Sequence, residues 1–347
     1  MGHHPVVVAE AAAELKASGV GAGGTRNISG THPGIIALER AIAKAIGKAC
    51  ALVFTSGYVA NETALQVLGR MLPGVVILSD EKNHASMIEG MRLARCERVI
   101  FRHNDAAHLE EILRQFPRER PKIIAFESVY SMEGDFAPIH SICDLARKYQ
   151  AFTYLDETHA VGLYGLKGGG VAQEIQATQR IDVIQGGLGK GYGTIGGFVA
   201  ASQLIIDTIR SFGPGFIFTT ALPPHCAAAA THSVRWLSHS SEERALHREV
   251  VASTKEALRK RQIPFHDGGT HIIPIQVGDS RLCQAMADYL LFERGIYIQP
   301  INYPTVPRGT ERLRVTPTPF HTPEMIEALC EALAAARGEA VASRMVA

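Results

Sequence analysis

The sequence predicts an α/β fold: a large domain built on a mostly parallel, mixed sheet between helices, then a smaller C-terminal α+β domain. Three observations lead there. Short apolar runs alternate with amphipathic helical stretches through residues 31–235, each apolar run ends in polar or glycine-rich residues, and the texture changes after about residue 235. Alternating strand and helix units imply parallel strands covered on both faces. Residues 1–30 read as a segment leading into that core, and residues 236–347 as the smaller domain.

The elements follow in order. Ile35, Leu38, Ile42 and Ile46 recur at the helical period and predict one helix with a single apolar face. The runs Ala51–Phe54, Val75–Leu78, Ile123–Phe126, Phe152–Leu155 and Val183–Ile184 predict buried strands. They end in Thr55-Ser56-Gly57, Ser79-Asp80, Glu127-Ser128, Asp156-Glu157 and Gly186-Gly187. In parallel sheets ligands collect outside the carboxyl ends of the strands, so these clusters are expected to converge on one site. The smaller domain reads as a charged helix over Ser241–Arg261, a strand at His271–Val277 and a helix near Arg281–Arg294. Strands near Ile296–Ile301 and Arg312–Thr316 and an Ala-rich helix complete it. Between those strands Asn302–Glu311, with Pro304, Pro307 and Gly309, breaks both periodicities and reads as a loop.

Composition narrows the function. The 347 residues carry 35 basic and 34 acidic side chains, a net charge of +1, which gives no reason to expect nucleic acid or an anionic membrane as partner. No apolar run approaches the roughly 20 residues that span a bilayer. The start, Met1-Gly2-His3-His4-Pro5, has neither the apolar core of a signal peptide nor the character of a transit peptide. Cys50, Cys96, Cys143, Cys226, Cys283 and Cys330 form no CxxC pair, which argues against a disulfide framework or a metal site. A reducing, bacterial-type cytoplasm is the compartment that this pattern predicts.

Several residues could carry chemistry, each with a plainer reading beside it. Lys190, in Gly186-Gly187-Leu188-Gly189-Lys190-Gly191-Tyr192-Gly193, has little side-chain cover, so a bound group could approach its amine, and desolvation would favour the nucleophilic neutral form. Otherwise it is a solvated loop lysine. Asp156 at a strand end could hold a proton on a pyridine nitrogen, or cap a helix. His159, three residues on, could serve the same ligand or be a hydrogen-bonded loop histidine. Ser56, Gly57 and Tyr58 open a helix whose backbone N–H groups suit a phosphate, although a Ser N-cap explains them equally. His84 could stack on a flat ring, or Asn83 could simply cap the next helix. Arg312 and Arg314 share one face of a strand, and a guanidinium such as that of Arg314 binds a carboxylate bidentately, unless it pairs with Glu311.

Taken together the segments resemble the α-oxoamine synthases, a family of fold-type-I pyridoxal phosphate (PLP) enzymes. Carrying the resemblance are Gly24-Thr25-Arg26-Asn27-Ile28-Ser29-Gly30-Thr31, Phe54-Thr55-Ser56-Gly57-Tyr58 and Asn83-His84-Ala85-Ser86-Met87-Ile88-Glu89-Gly90. Further on come Ser128-Val129-Tyr130-Ser131-Met132, Tyr154-Leu155-Asp156-Glu157, His159-Ala160-Val161-Gly162, Phe218-Thr219-Thr220 and Asn302–Arg314. The resemblance implies a fold-type-I PLP-transferase that condenses glycine with succinyl-CoA, with loss of CoA and CO2, to give 5-aminolevulinate for tetrapyrrole and heme synthesis. Siblings that use another acyl-CoA, a specialised enzyme of a secondary pathway and an impaired paralogue acting as a binding subunit are the alternatives.

By the same resemblance Lys190 carries the cofactor and acts as acid and base, Asp156 pairs with the pyridine nitrogen, and His84 stacks on the ring. His159 and Ser131 lie near the ring hydroxyl, and Ser56, Gly57 and Tyr58 on the phosphate side. Thr219, with Thr220 beside it, reaches the cofactor phosphate of a neighbouring subunit, which implies a homodimer with shared active sites. Arg314 takes the glycine carboxylate, and Thr25, Asn27 and Thr305 face the succinyl end. Tyr303–Glu311 resembles a mobile lid. Two departures from the family pattern stand out. The family has a longer segment ahead of Gly2, part of which helps to hold acyl-CoA. It also has a threonine, a phosphate ligand, where this chain has Gly187. A threonine hydroxyl there is expected to tighten the cofactor, provided the backbone is not in the left-handed region.

Overall fold

The computed structural model describes residues 1–346. The chain divides into two compact units, one of Met1–Val129 with Ala137–Ser241, the other of Tyr130–Phe136 with Glu242 onward. Residues 236–241, which the sequence assigns to the second domain, fall in the first unit because the helix before them continues to His239. Tyr130–Phe136, read as part of the large domain, belongs to the second.

The first unit runs α1 (Pro5–Ser18), α2 (Pro33–Ile46), β1 (Cys50–Phe54), α3 (Gly57–Met71), β2 (Val76–Asp80), α4 (Ala85–Ala94), β3 (Glu97–Phe101), α5 (Ala106–Leu113) and β4 (Lys122–Glu127). It continues with α6 (Ile139–Tyr149), β5 (Phe152–Asp156), α7 (Val171–Glu174), β6 (Val183–Gly187), β7 (Gly197–Ala201), α8 (Gln203–Phe212), α9 (Pro214–Ile217) and α10 (Pro224–His239). Its seven strands form one sheet in the order β1-β7-β6-β5-β4-β2-β3. The pairs β2–β3, β2–β4, β4–β5 and β5–β6 are parallel, whereas β7 runs against both β1 and β6. The carboxyl ends of β1, β2, β4, β5 and β6 therefore share one edge.

Burial explains why the strands read as unbroken apolar runs. On one face Leu52, Phe54, Ile77, Ala125, Tyr154 and Val199 pack against Ala64 and Leu65 of α3, Met87 and Met91 of α4 and Ile206 of α8. The alternate residues Val53, Ile124, Phe126, Leu155, Ile184 and Phe198 are buried too. A strand closed on both faces shows no period-2 alternation. In α2, Ile35, Leu38, Ile42 and Ile46 are all at most 1% exposed, the stripe that their spacing predicts. β3 is largely open to solvent, as befits an edge, and its short apolar run Val99–Phe101 was not among the expected strands.

The second unit has α11 (Glu242–Lys260), β8 (Ile273–Gln276), α12 (Ser280–Phe292), β9 (Pro300–Ile301), β10 (Arg312–Val315) and α13 (Pro323–Val346). Its antiparallel sheet has the order β8-β10-β9. The strand expected over Ile296–Ile301 shrinks to its last two residues: Ile296 and Ile298 pack into the core of the unit without joining the ladder. Among the described residues no helix is long and apolar enough to cross a membrane.

Candidate active site

The shared strand edge of the first unit encloses a cavity of about 300 Å³. Every strand ending there contributes: Ser56, Gly57 and Tyr58 after β1, His84 after β2, Glu127 at the end of β4, Asp156 and His159 at β5, and Gly187 and Lys190 at β6. The strand ends meet there as the sequence reading expects, except that Ser79 and Asp80 at the end of β2 do not line the cavity and β2 contributes through His84.

Asp156 is the most constrained of these groups. It is 5% exposed. Its Oδ2 accepts a hydrogen bond from Asn61 Nδ2 at 2.7 Å, and its Oδ1 accepts one from the Thr158 N–H at 2.7 Å. The Tyr154 hydroxyl donates to Asn61 Oδ1 at 2.8 Å, so the strand that carries the aspartate also orients the amide that holds it. No helix starts at Asp156, which removes the capping alternative. Next to it Glu157 is fully buried and accepts from Ser128 Oγ at 2.5 Å, Val171 N at 3.0 Å and Ala172 N at 2.7 Å. Burial outweighs those donors and pushes its carboxyl up to about 7.

His84 is the N-cap of α4. Its Nδ1 accepts from the Ser86 N–H at 3.2 Å and lies 2.7 Å from Ser86 Oγ, and its own N–H donates to Glu127 Oε1 at 2.6 Å. The imidazole stands edge-on to Tyr58, 6.4 Å between centroids at 79°. Asn83, the alternative cap, instead ties β2 to β4 through Ser79 Oγ and Ala125 O. Ser56 does cap α3, its Oγ accepting from Val59 N at 3.1 Å. The cap and the phosphate reading are compatible, since the first-turn backbone N–H groups remain the anion-binding feature. Gly197 of β7 presses against this turn so closely that a Cβ there would stand 2.4 Å from Gly57 N. The helix start thus rests directly on the sheet.

Lys190 sits on the turn joining β6 to β7, which is pinned by Leu188 N to Gly196 O, Thr194 N to Leu188 O and Gly193 N to Lys190 O, each 2.9 Å. The lysine is exposed, so in the isolated chain its surroundings do not supply the desolvation that the sequence reading invoked. Gly187 lies outside the left-handed region, yet a Cβ there would stand 2.8 Å from Thr158 Cγ2. Thr158, not a free space, fills the position that a threonine at 187 was expected to use.

The remaining expected residues lie elsewhere. Thr219 and Thr220 border a small separate cleft with Arg26, Phe54 and Thr55, and Thr25 bridges to Thr220. The Thr25 hydroxyl is buried without a partner, and Asn27 is exposed. Ser131, Thr305 and Arg314 belong to the second unit. There Arg314 Nε donates to Ser131 O at 2.7 Å and Arg312 Nη1 to Met132 O at 2.8 Å, so the two arginines do share a face of β10. Arg314 also lines a cavity of about 390 Å³ with Thr254, Tyr297 and His321, and burial lowers the basicity of its guanidinium. Thr305 is exposed in the loop before β10, where its N–H donates to Asn302 O.

Sequence reasoning missed Asn61, Ser86, Thr158 and Gln185. A signal existed for Asn61: it sits on the buried face of α3 beside Ala60 and Ala64, and a polar residue on an apolar face needs a partner. A carboxylate at a strand end, a histidine over the cavity, a helix N-terminus and a lysine on a glycine-rich turn are the groups that a phosphorylated pyridine aldehyde requires. The buried Asn61 amide, already committed to Asp156, fixes the carboxylate for such a ring.

Known proteins agree with this chemistry. Residues 1–333 match the aminotransferase class I and II family. The chain is 52% identical over 333 residues to the 5-aminolevulinate synthase of Bradyrhizobium diazoefficiens, covering 96% of this chain and 81% of that protein. It is 53% identical over 333 residues to that of Rhizobium meliloti, covering 96% and 82%. Among solved structures, the serine palmitoyltransferase of S. paucimobilis with a bound PLP–myriocin aldimine matches with a TM-score of 0.94 at 30% identity, covering 98% of this chain and 85% of that one. With half of its residues shared across nearly its whole length, the chain belongs to the 5-aminolevulinate synthase family, within the class I and II aminotransferases.

Proposed function

We propose that this chain is a PLP-dependent acyltransferase that joins glycine to succinyl-CoA, releases CoA and CO2, and forms 5-aminolevulinate. The observation that carries the reading is the convergence of Lys190, Asp156, His84 and the α3 N-terminus on one cavity in a member of that family. When bound, PLP supplies the electron sink that acidifies the glycine α-hydrogen and later accepts the electrons left by CO2.

The chain's own residues do the rest. Asp156, held in place by Asn61 and the Thr158 N–H, would keep a proton on the pyridine nitrogen. His84, braced by Ser86 and Glu127, would cover the ring when the cofactor is bound, with His159 lining the same cavity. The N–H groups at Gly57 and Tyr58 would hold the phosphate. Lys190, on a turn tied to the sheet on both sides, takes the α-proton from glycine and returns one to the product. Arg314 holds the glycine carboxylate with Ser131 alongside, and Thr25, Asn27 and Thr305 face the succinyl end. The protein works as a homodimer in which Thr219 serves the partner's phosphate site. Ile28 and Phe218, 85% and 81% exposed and flanking the Thr25–Thr220 bridge, support an interface there. Six unpaired cysteines suit a reducing cytoplasm.

The test is chemical. Borohydride reduction of the PLP-loaded protein followed by peptide mapping is expected to label Lys190, and Lys190→Ala to lose both the label and the visible absorption band. A label on another lysine removes the assignment. Assays with glycine and a panel of acyl-CoAs should show the highest kcat/KM with succinyl-CoA.

A further inference from the structure

Gly187 and Thr158 meet where the ends of β5 and β6 lie side by side. The two belong together. Thr158 follows β5 by two residues and lines the same cavity as Lys190. Its N–H donates to Asp156 Oδ1 at 2.7 Å, and its hydroxyl donates to Gln185 Oε1 at 3.1 Å. Gln185 is fully buried and sends Nε2 to Gly57 O at 3.2 Å and to Gly186 O at 3.1 Å, which fixes the orientation of its amide. A single residue therefore spans the carboxylate expected to meet the pyridine nitrogen and, through one buried amide, the helix start expected to meet the phosphate.

That span exists because Gly187 has no side chain. A Cβ at 187 would stand 2.8 Å from the Thr158 methyl but 3.4 Å from its hydroxyl. The methyl, rather than the hydroxyl, is the atom in conflict. A Cβ at Gly57 would likewise meet Gln185 Nε2 at 3.3 Å and Thr158 Oγ1 at 3.6 Å, so the strut is packed on both sides.

We infer that Thr158 is a cofactor-positioning residue, its hydroxyl tying the phosphate-binding turn at Gly57 to the Asp156 end of the site through Gln185, and that Gly187 is the space this strut requires. The inference rests on the reading of the cavity as a PLP site. It also reverses the sequence expectation for position 187: a side chain there loosens the cofactor, because it displaces Thr158.

The test is the PLP dissociation constant of the full chain, measured by fluorescence titration, with thermal melting of each variant before PLP addition as the check on folding. Thr158→Val keeps the shape and removes the hydroxyl, and should weaken PLP about three- to tenfold. Thr158→Ser keeps the hydroxyl and removes the methyl, and should stay near wild type. Gly187→Ala alone should weaken PLP by a similar factor. The double variant Gly187→Ala with Thr158→Ser should regain most of that loss, a coupling that independent sites do not show. Undiminished affinity in Thr158→Val, or a Gly187→Ala loss that Thr158→Ser leaves untouched, overturns the inference. If wild type fails to bind PLP, or borohydride labels a lysine other than Lys190, the fault lies in the cofactor reading instead.

Discussion

Glu157 shows how much a single buried side chain can tie together. Its carboxyl holds the Ser128 hydroxyl and the two N–H groups that open α7, and burial raises it from 4.5 to about 7. The unfolded chain releases this proton near 4.5, whereas the folded chain keeps it until about 7. The contribution of Glu157 to stability is thus fully present at low pH and fades as the pH rises through 7. Glu157→Gln does not titrate, although its amide can accept from only one of the Val171 and Ala172 N–H groups, so it sets a pH-independent baseline of lower stability. Thermal melts of both proteins across this range should show the wild type losing ground to the variant as pH rises; a constant difference removes Glu157 from the titration. At this scale the sequence was only partly legible. Lys190, Asp156 and His84 stand where strand ends put them, on the edge at which the sequence expected a site. Thr158 and Gln185 gave no sign, because their importance lies in a contact between two strand ends that no spacing along the chain encodes.

Among the elements, β10 turns two arginines of one face onto the carbonyls of Ser131 and Met132. Arg314→Leu should raise the glycine KM by roughly a hundredfold or more, as expected when one partner of a desolvated charge pair is lost. Arg314→Lys should recover only part, since an ammonium lacks the planar fork. Steady-state kinetics with PLP saturating decide this, and an unchanged glycine KM in both variants takes Arg314 out of the site. Period-2 alternation was enough to pair Arg312 with Arg314. It failed for Ile296–Ile301, where apolar residues pack into the core without strand pairing, and for β3, an edge strand whose apolar run is only Val99–Phe101 and whose Ile100 is exposed.

For the whole molecule, the division into two units and the placement of Thr219 outside the Lys190 cavity motivate a test of shared sites. Lys190→Ala and Thr219→Ala are each expected to impair PLP binding or turnover. Mixed subunits should form one site with an intact lysine and an intact threonine. Co-refolded mixtures are therefore expected to recover activity above the sum of the parents, and no recovery in a proven heterodimer argues against a shared phosphate site. The order of strands was legible only as a class: alternating units imply a parallel sheet, but nothing in the run Gly197–Ala201 announces that β7 turns back against its neighbours.

That reversal governs how the site can tolerate changes in length. β1, β2, β4 and β5 are each followed by a segment that leads away from the strand end into a helix or turn. The stretch from Leu188 to Gly196 leads straight back into the sheet. Both of its ends are locked by the pairing of Gly187 with Gly197, and its interior is crossed by hydrogen bonds on either side of Lys190. One inserted residue would shift either the lysine or the strand register, and a register shift turns every side chain of β7 to the opposite face. Between Leu188 and Gly196, the number of residues is therefore as much a part of the site as their identity.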